Sequence, residues 1–273
     1  MTTRGAYNAS SFNRDLDSEI QRLRAQVLLS WEKEARTLAW FGLQDGMSIL
    51  ELGSGPGFYT EQLLAMLPNS SVTAVEIDPV LIKQAEQYLQ EKLGDRLRIV
   101  EASIMDTGLP DNSFDFAVAR LLFRHLPDPI GAASEVLRVL KPGGKFVIID
   151  ADDDLIEIIE PSIPELQPIR EKRKQLQAAQ GSNRQIGRQL WRILKAAGFQ
   201  NLDLEAVVSH SDAQGIEAFL LRLDPGLALP LVKLGLLSQQ EVESFIASRE
   251  KFLASPNPFI LVLWLLACGE KPQ

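Results

Sequence analysis

The 273-residue chain holds a single cysteine, Cys268, and only two histidines and three tyrosines. One cysteine excludes an intrachain disulfide framework and a cysteine-ligated zinc cluster, and suits a reducing cytosol. Basic residues are also in deficit: 28 Lys and Arg face 36 Asp and Glu, a net charge of −8. That balance argues against a duplex nucleic-acid partner, because phosphate binding rests on Lys and Arg. No apolar run approaches the ~20 residues of a membrane span. The most apolar stretch, PFILVLWLLAC at 258–268, is rich in Ile, Val, Trp and Leu and reads as a buried strand. The first residues, MTTRGAYNASSFNRDLDSE, contain no apolar core of signal-peptide length, so a soluble cytoplasmic protein without a membrane partner is expected. Repeats and low-complexity tracts are missing too. What remains is ordinary globular composition, 45% apolar and 23% charged, enough to build a core.

Periodicity organises the chain. Leu16, Ile20, Leu23, Val27, Trp31, Ala35 and Leu38 recur at helical spacing, as one long helix or two with a bend. Strands are expected at 48–53, 71–77, 97–102, 114–120, 144–150, 200–210 and 258–267. Helices alternate with most of them. Asp78 caps the one opened by Pro79, and Ser238-x-x-Glu241 has the capping-box pattern. Alternation of this kind points to a parallel sheet with helices on both faces. The near-continuous apolar strands agree, since a sheet with one wet face would alternate.

The stretch ILELGSGPGF, 49–58, ends a strand on an acid and three alternating glycines. Ligands of open parallel sheets bind at such strand ends. A dinucleotide turn needs G-x-G-x-x-G, but the third position is Phe58; a phosphate loop needs a lysine, and none is near. The pattern Glu51, Gly53, Gly55, Gly57 resembles the first motif of class I S-adenosylmethionine-dependent methyltransferases. VTAVEIDP, ending its strand on Glu76, resembles their second motif. ARLLFRHLPDP (119–129) is similar to the fourth, and VLRVLKPGGKFVIID (136–150) to the turn and fifth strand that follow. The likeness is strong over 45–150, weaker through LKAAGF (194–199) and the last strand.

That resemblance implies a Rossmann-like α/β fold: seven strands, mostly parallel, the last antiparallel, in one domain over 1–273. It implies a cofactor core at 42–150; the flanking helical segments, which it leaves unassigned, are read as a lid at 1–41 and caps at 151–185 and 211–255. It implies S-adenosyl-L-methionine as cofactor, with S-adenosyl-L-homocysteine as product. The backbone of Gly53, Gly55 and Gly57 would pack on the methionine and ribose portion. Glu51 would position the amino group, and Glu76, beside Ile77, the ribose diol. Ser103 stands where the family often has an adenine-binding Asp, with the backbone of Ile104 serving a ring nitrogen and Asp106 or Glu101 as substitutes. Arg120 would contribute backbone, and Tyr7 with Phe12 would close over the cofactor.

Methyl transfer is an in-line displacement on an already activated carbon, so a base is needed only when the acceptor must lose a proton. His125, at the ligand edge and able to titrate near neutrality, is the candidate; the competing role is a loop histidine beside the helix at 128. DADDD (150–154) tempts a metal assignment, but the loop after the fourth strand, ARLLFRH, offers no second acid. A helix-start acid cluster and no metal are expected. Marks of amino-directed DNA, cytosine-C5 and arginine methyltransferases are absent. The expected acceptor is therefore a small, largely apolar metabolite under the helical caps, with a homodimer possible. The alternatives are a protein or RNA acceptor, or a non-catalytic cofactor-binding or regulatory protein.

Overall fold

In the computed structural model, residues 16–90 and 94–273 are described. The N-terminal apolar periodicity becomes two helices, α1 (Leu16–Leu28) and α2 (Trp31–Trp40). The break falls at Ser30, whose hydroxyl donates to Glu34 Oε1 at 2.5 Å instead of capping a backbone amide.

Strands and helices then alternate: β1 (Ser48–Leu52), α3 (Phe58–Met66), β2 (Ser71–Glu76), α4 (Pro79–Leu89), β3 (Leu97–Glu101), β4 (Phe114–Arg120), α5 (Pro129–Val139) and β5 (Leu140–Asp150). Pro at the first helical position is preset for the helix, and an Asp just before it satisfies an orphan amide. Asp78 accepts from Val80 N at 2.9 Å and Asp128 from Gly131 N at 2.9 Å. Beyond β5 come β6 (Glu157–Glu160), α6 (Leu166–Ala179), α7 (Leu190–Ala196) and β7 (Gln200–His210). Short helices α8 (Ser211–Gln214) and α9 (Leu229–Lys233), with 3-10 turns between, lead to α10 (Gln239–Leu253) and β8 (Phe259–Glu270). The capping box at Ser238 and Glu241 forms as expected.

The sheet order is β3-β2-β1-β4-β5-β8, parallel as far as β5, with β8 antiparallel to it. β7 pairs with the other edge of β8 along nearly its whole length. The expected seven strands and the antiparallel last strand are all present. One strand was not expected. β6 lies inside the segment read as a purely helical cap and continues the line of β5 along β8, pairing Glu157 with Val262 and Glu160 with Phe259. Its four residues are too few to carry a period.

Alternate residues of the inner strands serve two cores. Ile49, Phe116 and Val118 pack with α2, α3 and the cap segments. Leu50, Leu52, Ala117 and Ala119 pack with α5 and α7. Burial on both faces is why these strands read as continuous apolar runs. Strand order reverses between β1 and β4, so the carboxyl ends of β1, β2 and β4 form the crevice. Among the described residues no helix is long and apolar enough to cross a membrane.

Candidate cofactor and acceptor site

These strand ends open onto a cavity of about 1080 Å³. The glycine turn forms its floor. Gly53, Gly55 and Gly57 have φ of +71°, +55° and +85°, a left-handed backbone that side chains oppose. Their reasons differ. A Cβ on Gly57 would lie 2.6 Å from Leu89, and one on Gly53 3.1 Å from Leu122, so both also serve packing. A Cβ on Gly55 would meet nothing within 4 Å; it faces open space. Beside it, the buried Ser54 Oγ has no hydrogen-bond partner among the described residues. A buried hydroxyl at a cavity wall is placed to hydrogen-bond a ligand or a water there.

Two carboxylates flank the turn. Glu51 ends β1, 3% exposed, and accepts from Thr60 Oγ1 at 2.6 Å. Burial, helped by the nearby Glu76 charge, pushes it up to about 8 against the pull of Thr60 and Arg120. Glu76 ends β2. Its Oε1 accepts from Ile77 N and Asp78 N at 2.8 and 3.0 Å, and its Oε2 from Gly55 N at 2.8 Å. Burial nonetheless holds Glu76 above the usual carboxylate range, against those three amides. With about two lone pairs per oxygen, Oε2 keeps one direction for a ligand hydroxyl. The Glu76–Gly55 bond thus ties the acid of the second motif to the central glycine of the first.

Ser103 and Ile104 line the same cavity. Ser103 Oγ accepts from Met105 N at 3.1 Å and so braces its own turn, while Ile104 supplies a buried apolar wall. Asp106 donates its backbone amide to Ser103 O at 3.1 Å, as a turn residue does. Tyr7 and Phe12 lie outside the described residues.

Arg120 ends β4 with its guanidinium committed to the N-terminal helices. Nε donates to Glu34 Oε2 at 2.9 Å, and Nη2 to Gln26 O and Ser30 Oγ at 2.9 and 3.1 Å. It also lies 5.6 Å from the Tyr59 ring and 5.7 Å from Trp264. This side chain fastens α1 and α2 to the sheet edge and is no free substrate clamp. Next to it Leu121, at φ +55°, is a left-handed non-glycine residue on the cavity wall. Strain of that kind gathers at functional edges.

His125 does line the cavity, with Nδ1 3.2 Å from Ser182 Oγ. The expectation that it titrates near neutrality is not met. Burial, then the charges of Arg124, Arg184 and Arg22, push it down to about 3. The acids after β5 differ as well. They open no helix; the chain turns through them into β6. Each takes a basic partner: Asp150 with Arg124, Asp152 with Arg188, Asp153 with Arg184, and Asp154 with Lys174 and Arg188. No three His, Cys, Asp or Glu among the described residues converge as metal ligands. Cys268 is buried in β8, and burial pushes its thiol up to about 12.

Several wall residues escaped sequence reasoning. Trp264 was read only as strand core, and Arg170 and Arg222 only as parts of the helical caps, yet all three line the cavity. No local spacing marks them, because tertiary packing alone turns them inward.

The sheet order, the crevice and the glycine turn with its two acids define the class I methyltransferase architecture. Residues 50–148 match the methyltransferase domain family. The chain is 32% identical over 137 residues to a malonyl-(acyl-carrier protein) O-methyltransferase of Paenibacillus sp., covering 49% of this chain and 48% of that protein. It is 34% identical over 110 residues to a sterol 24-C-methyltransferase of Gibberella zeae, covering 40% and 29%. The chain thus spans less than half the length of these curated relatives. Among solved structures, phosphoethanolamine N-methyltransferase 2 of Haemonchus contortus, bound to phosphomonomethylethanolamine and S-adenosylhomocysteine, superposes with a TM-score of 0.58. The overlap covers 89% of this chain and 53% of that one at 21% identity, a likeness of fold.

Proposed function

We propose that the chain transfers a methyl group from S-adenosyl-L-methionine to a small, largely apolar metabolite. The observation that carries this reading is one cavity joining two kinds of wall. Its floor is the glycine turn with Glu51, Glu76 and the orphaned Ser54 hydroxyl. Its roof includes Leu23 and Val27 of α1, Leu231 of α9 and Trp264 of β8. A concave site that sets apolar and aromatic walls beside converging polar and charged groups suits a small ligand.

The cofactor supplies a methyl carbon activated by positive sulfur. The residues bind and aim. Glu51 holds the amino group, Glu76 the ribose diol, and Ser103 with the backbone of Ile104 the adenine edge. The backbones of Gly53, Gly55, Gly57, Ile77 and Arg120 complete the seat. Alignment alone can supply ~7–11 kcal/mol of the barrier. His125 remains the residue proposed to receive the acceptor's proton or hydrogen bond. A pKa of about 3 makes it a weak base, so its contribution is mainly orientation. The net charge of −8 supports a free metabolite over nucleic acid, and the lone buried cysteine a cytoplasmic setting.

The test is transfer of labelled methyl to a metabolite extract. Label in a small extractable product is expected. Label confined to RNA or protein overturns the acceptor assignment, and bound S-adenosylhomocysteine without any transfer overturns catalysis.

A further inference from the structure

We infer that the acceptor carries an anionic group, a carboxylate or phosphate, seated between Arg170 and Arg222. This rests on the methyl-transfer reading and specifies its acceptor. Arg170 comes from α6 and Arg222 from the 3-10 segment Ile216–Leu223, and both line the cavity. Both pair with the same carboxylate, Glu157 of β6: Arg222 Nε lies 2.5 Å from Oε2, and Arg170 meets Oε1. Glu157 is 1% exposed at its side chain, so one buried acid faces two guanidiniums. The wall therefore holds one positive charge more than its internal counter-charge.

The other acids of this wall are engaged by other cations, although the Asp153 charge also favours both arginines, and Glu171 pairs with Lys174. Asp153 gives its two oxygens to Arg184, and Asp154 is shared by Lys174 and Arg188. Burial and mutual repulsion push Arg170 down to about 9, with Arg222 and Arg173 as the repelling charges. Burial pushes Arg222 down to about 10. A desolvated surplus cation is costly until an anion meets it, and the guanidinium fork matches carboxylate and phosphate oxygens.

Trp264 connects this wall to the reacting end. Arg222 lies 5.9 Å from its ring and Arg120 5.7 Å, and its buried Nε1 has no partner among the described residues. An acceptor with its anion at the arginines would thus lay an apolar body along Trp264 toward the β4 edge.

The experiment is calorimetry on the full chain, with and without saturating S-adenosylhomocysteine, using 2-naphthoate, 2-naphthyl phosphate and neutral 2-naphthamide. At least one anion is expected to bind about tenfold or more tighter than the amide, as a charged hydrogen bond contributes. The tighter anion tells carboxylate from phosphate. Arg170→Gln and Arg222→Gln should each remove most of that advantage and leave S-adenosylhomocysteine affinity unchanged, which also certifies the fold. Arg222→Lys should retain part of it. Equal binding of all three probes, binding of none, or an advantage intact in both glutamine variants overturns the inference. Failure of the wild type to bind S-adenosylhomocysteine instead sinks the methyl-transfer reading, while the probe preference is still read without it.

Discussion

With Glu51 on the ligand's amino group, as proposed, cofactor binding depends on pH in a direction set by the burial of this carboxyl. Its carboxyl stands at about 8 against an ordinary 4.5, mainly through burial. The difference, 8 − 4.5 = 3.5 units, is worth ~5 kcal/mol between protonation states at ~1.4 kcal/mol per unit. Because the folded pKa is raised, the empty folded protein binds more protons than the unfolded chain between pH 4.5 and 8. The stability tied to this group is full below pH 4.5 and is lost as pH rises toward 8. Binding reverses the demand, since a ligand ammonium needs the carboxylate. At pH 7 roughly ten empty molecules are protonated for each ionised one, a handicap on the order of 1 kcal/mol that grows to about 3 kcal/mol at pH 6. Affinity for S-adenosylhomocysteine should therefore climb about tenfold per pH unit from 5 to about 7.5 and level off above 8. Calorimetry at pH 7 in phosphate and in Tris should show close to one proton released per ligand. Glu51→Gln should abolish both the release and the slope, weaken binding at pH 8, and stabilise the empty protein there. Affinity flat from pH 6 to 8 with no buffer dependence would refute the reasoning.

Other substitutions separate packing from binding. Gly57→Ala, blocked by φ +85° and by Leu89 at 2.6 Å, should destabilise by ~2–4 kcal/mol in denaturant unfolding. Gly55→Ala, with open space around its Cβ, should lose only ~1–2 kcal/mol but intrude on the ligand and weaken S-adenosylhomocysteine. Removing Glu34 (Glu34→Ala) strands the buried Arg120 charge and should cost ~3–5 kcal/mol of stability. A loss under ~1 kcal/mol would mean the helices are held otherwise. For His125, depressed to about 3, the neutral form should persist through pH 5–8, with its stability contribution lost as pH falls from 6.5 toward 3. His125→Gln should lower turnover without introducing or removing a pH step in that range.

Where each residue's role is local, the sequence already displays it. Glu51, the glycines and Glu76 sit in fixed spacing to a strand end, so their placement follows from strand and turn chemistry. Asp78, Asp128 and the Ser238 box likewise satisfy amides within a few residues. Roles that depend on distant partners were hidden. Arg120 is drawn to Glu34, 86 residues earlier, and His125 loses its near-neutral pKa to burial and then to arginines scattered along the chain. The acids 150–154 looked like one cluster because sequence shows adjacency and not their five-way dispersal onto Arg124, Arg184, Arg188, Lys174 and Gln185. The short β6 was invisible because it is templated by β8 across a hundred residues.

The most direct test of the cofactor seat is titration of wild type and Glu76→Ala with S-adenosylhomocysteine at pH 8, where about half of Glu51 is ionised. One-to-one binding to the wild type is predicted, weakened at least about tenfold in the variant, since the charged hydrogen bonds of Glu76 to Gly55 and the ribose are lost together. No binding to the wild type, or equal affinity in both proteins, would contradict it.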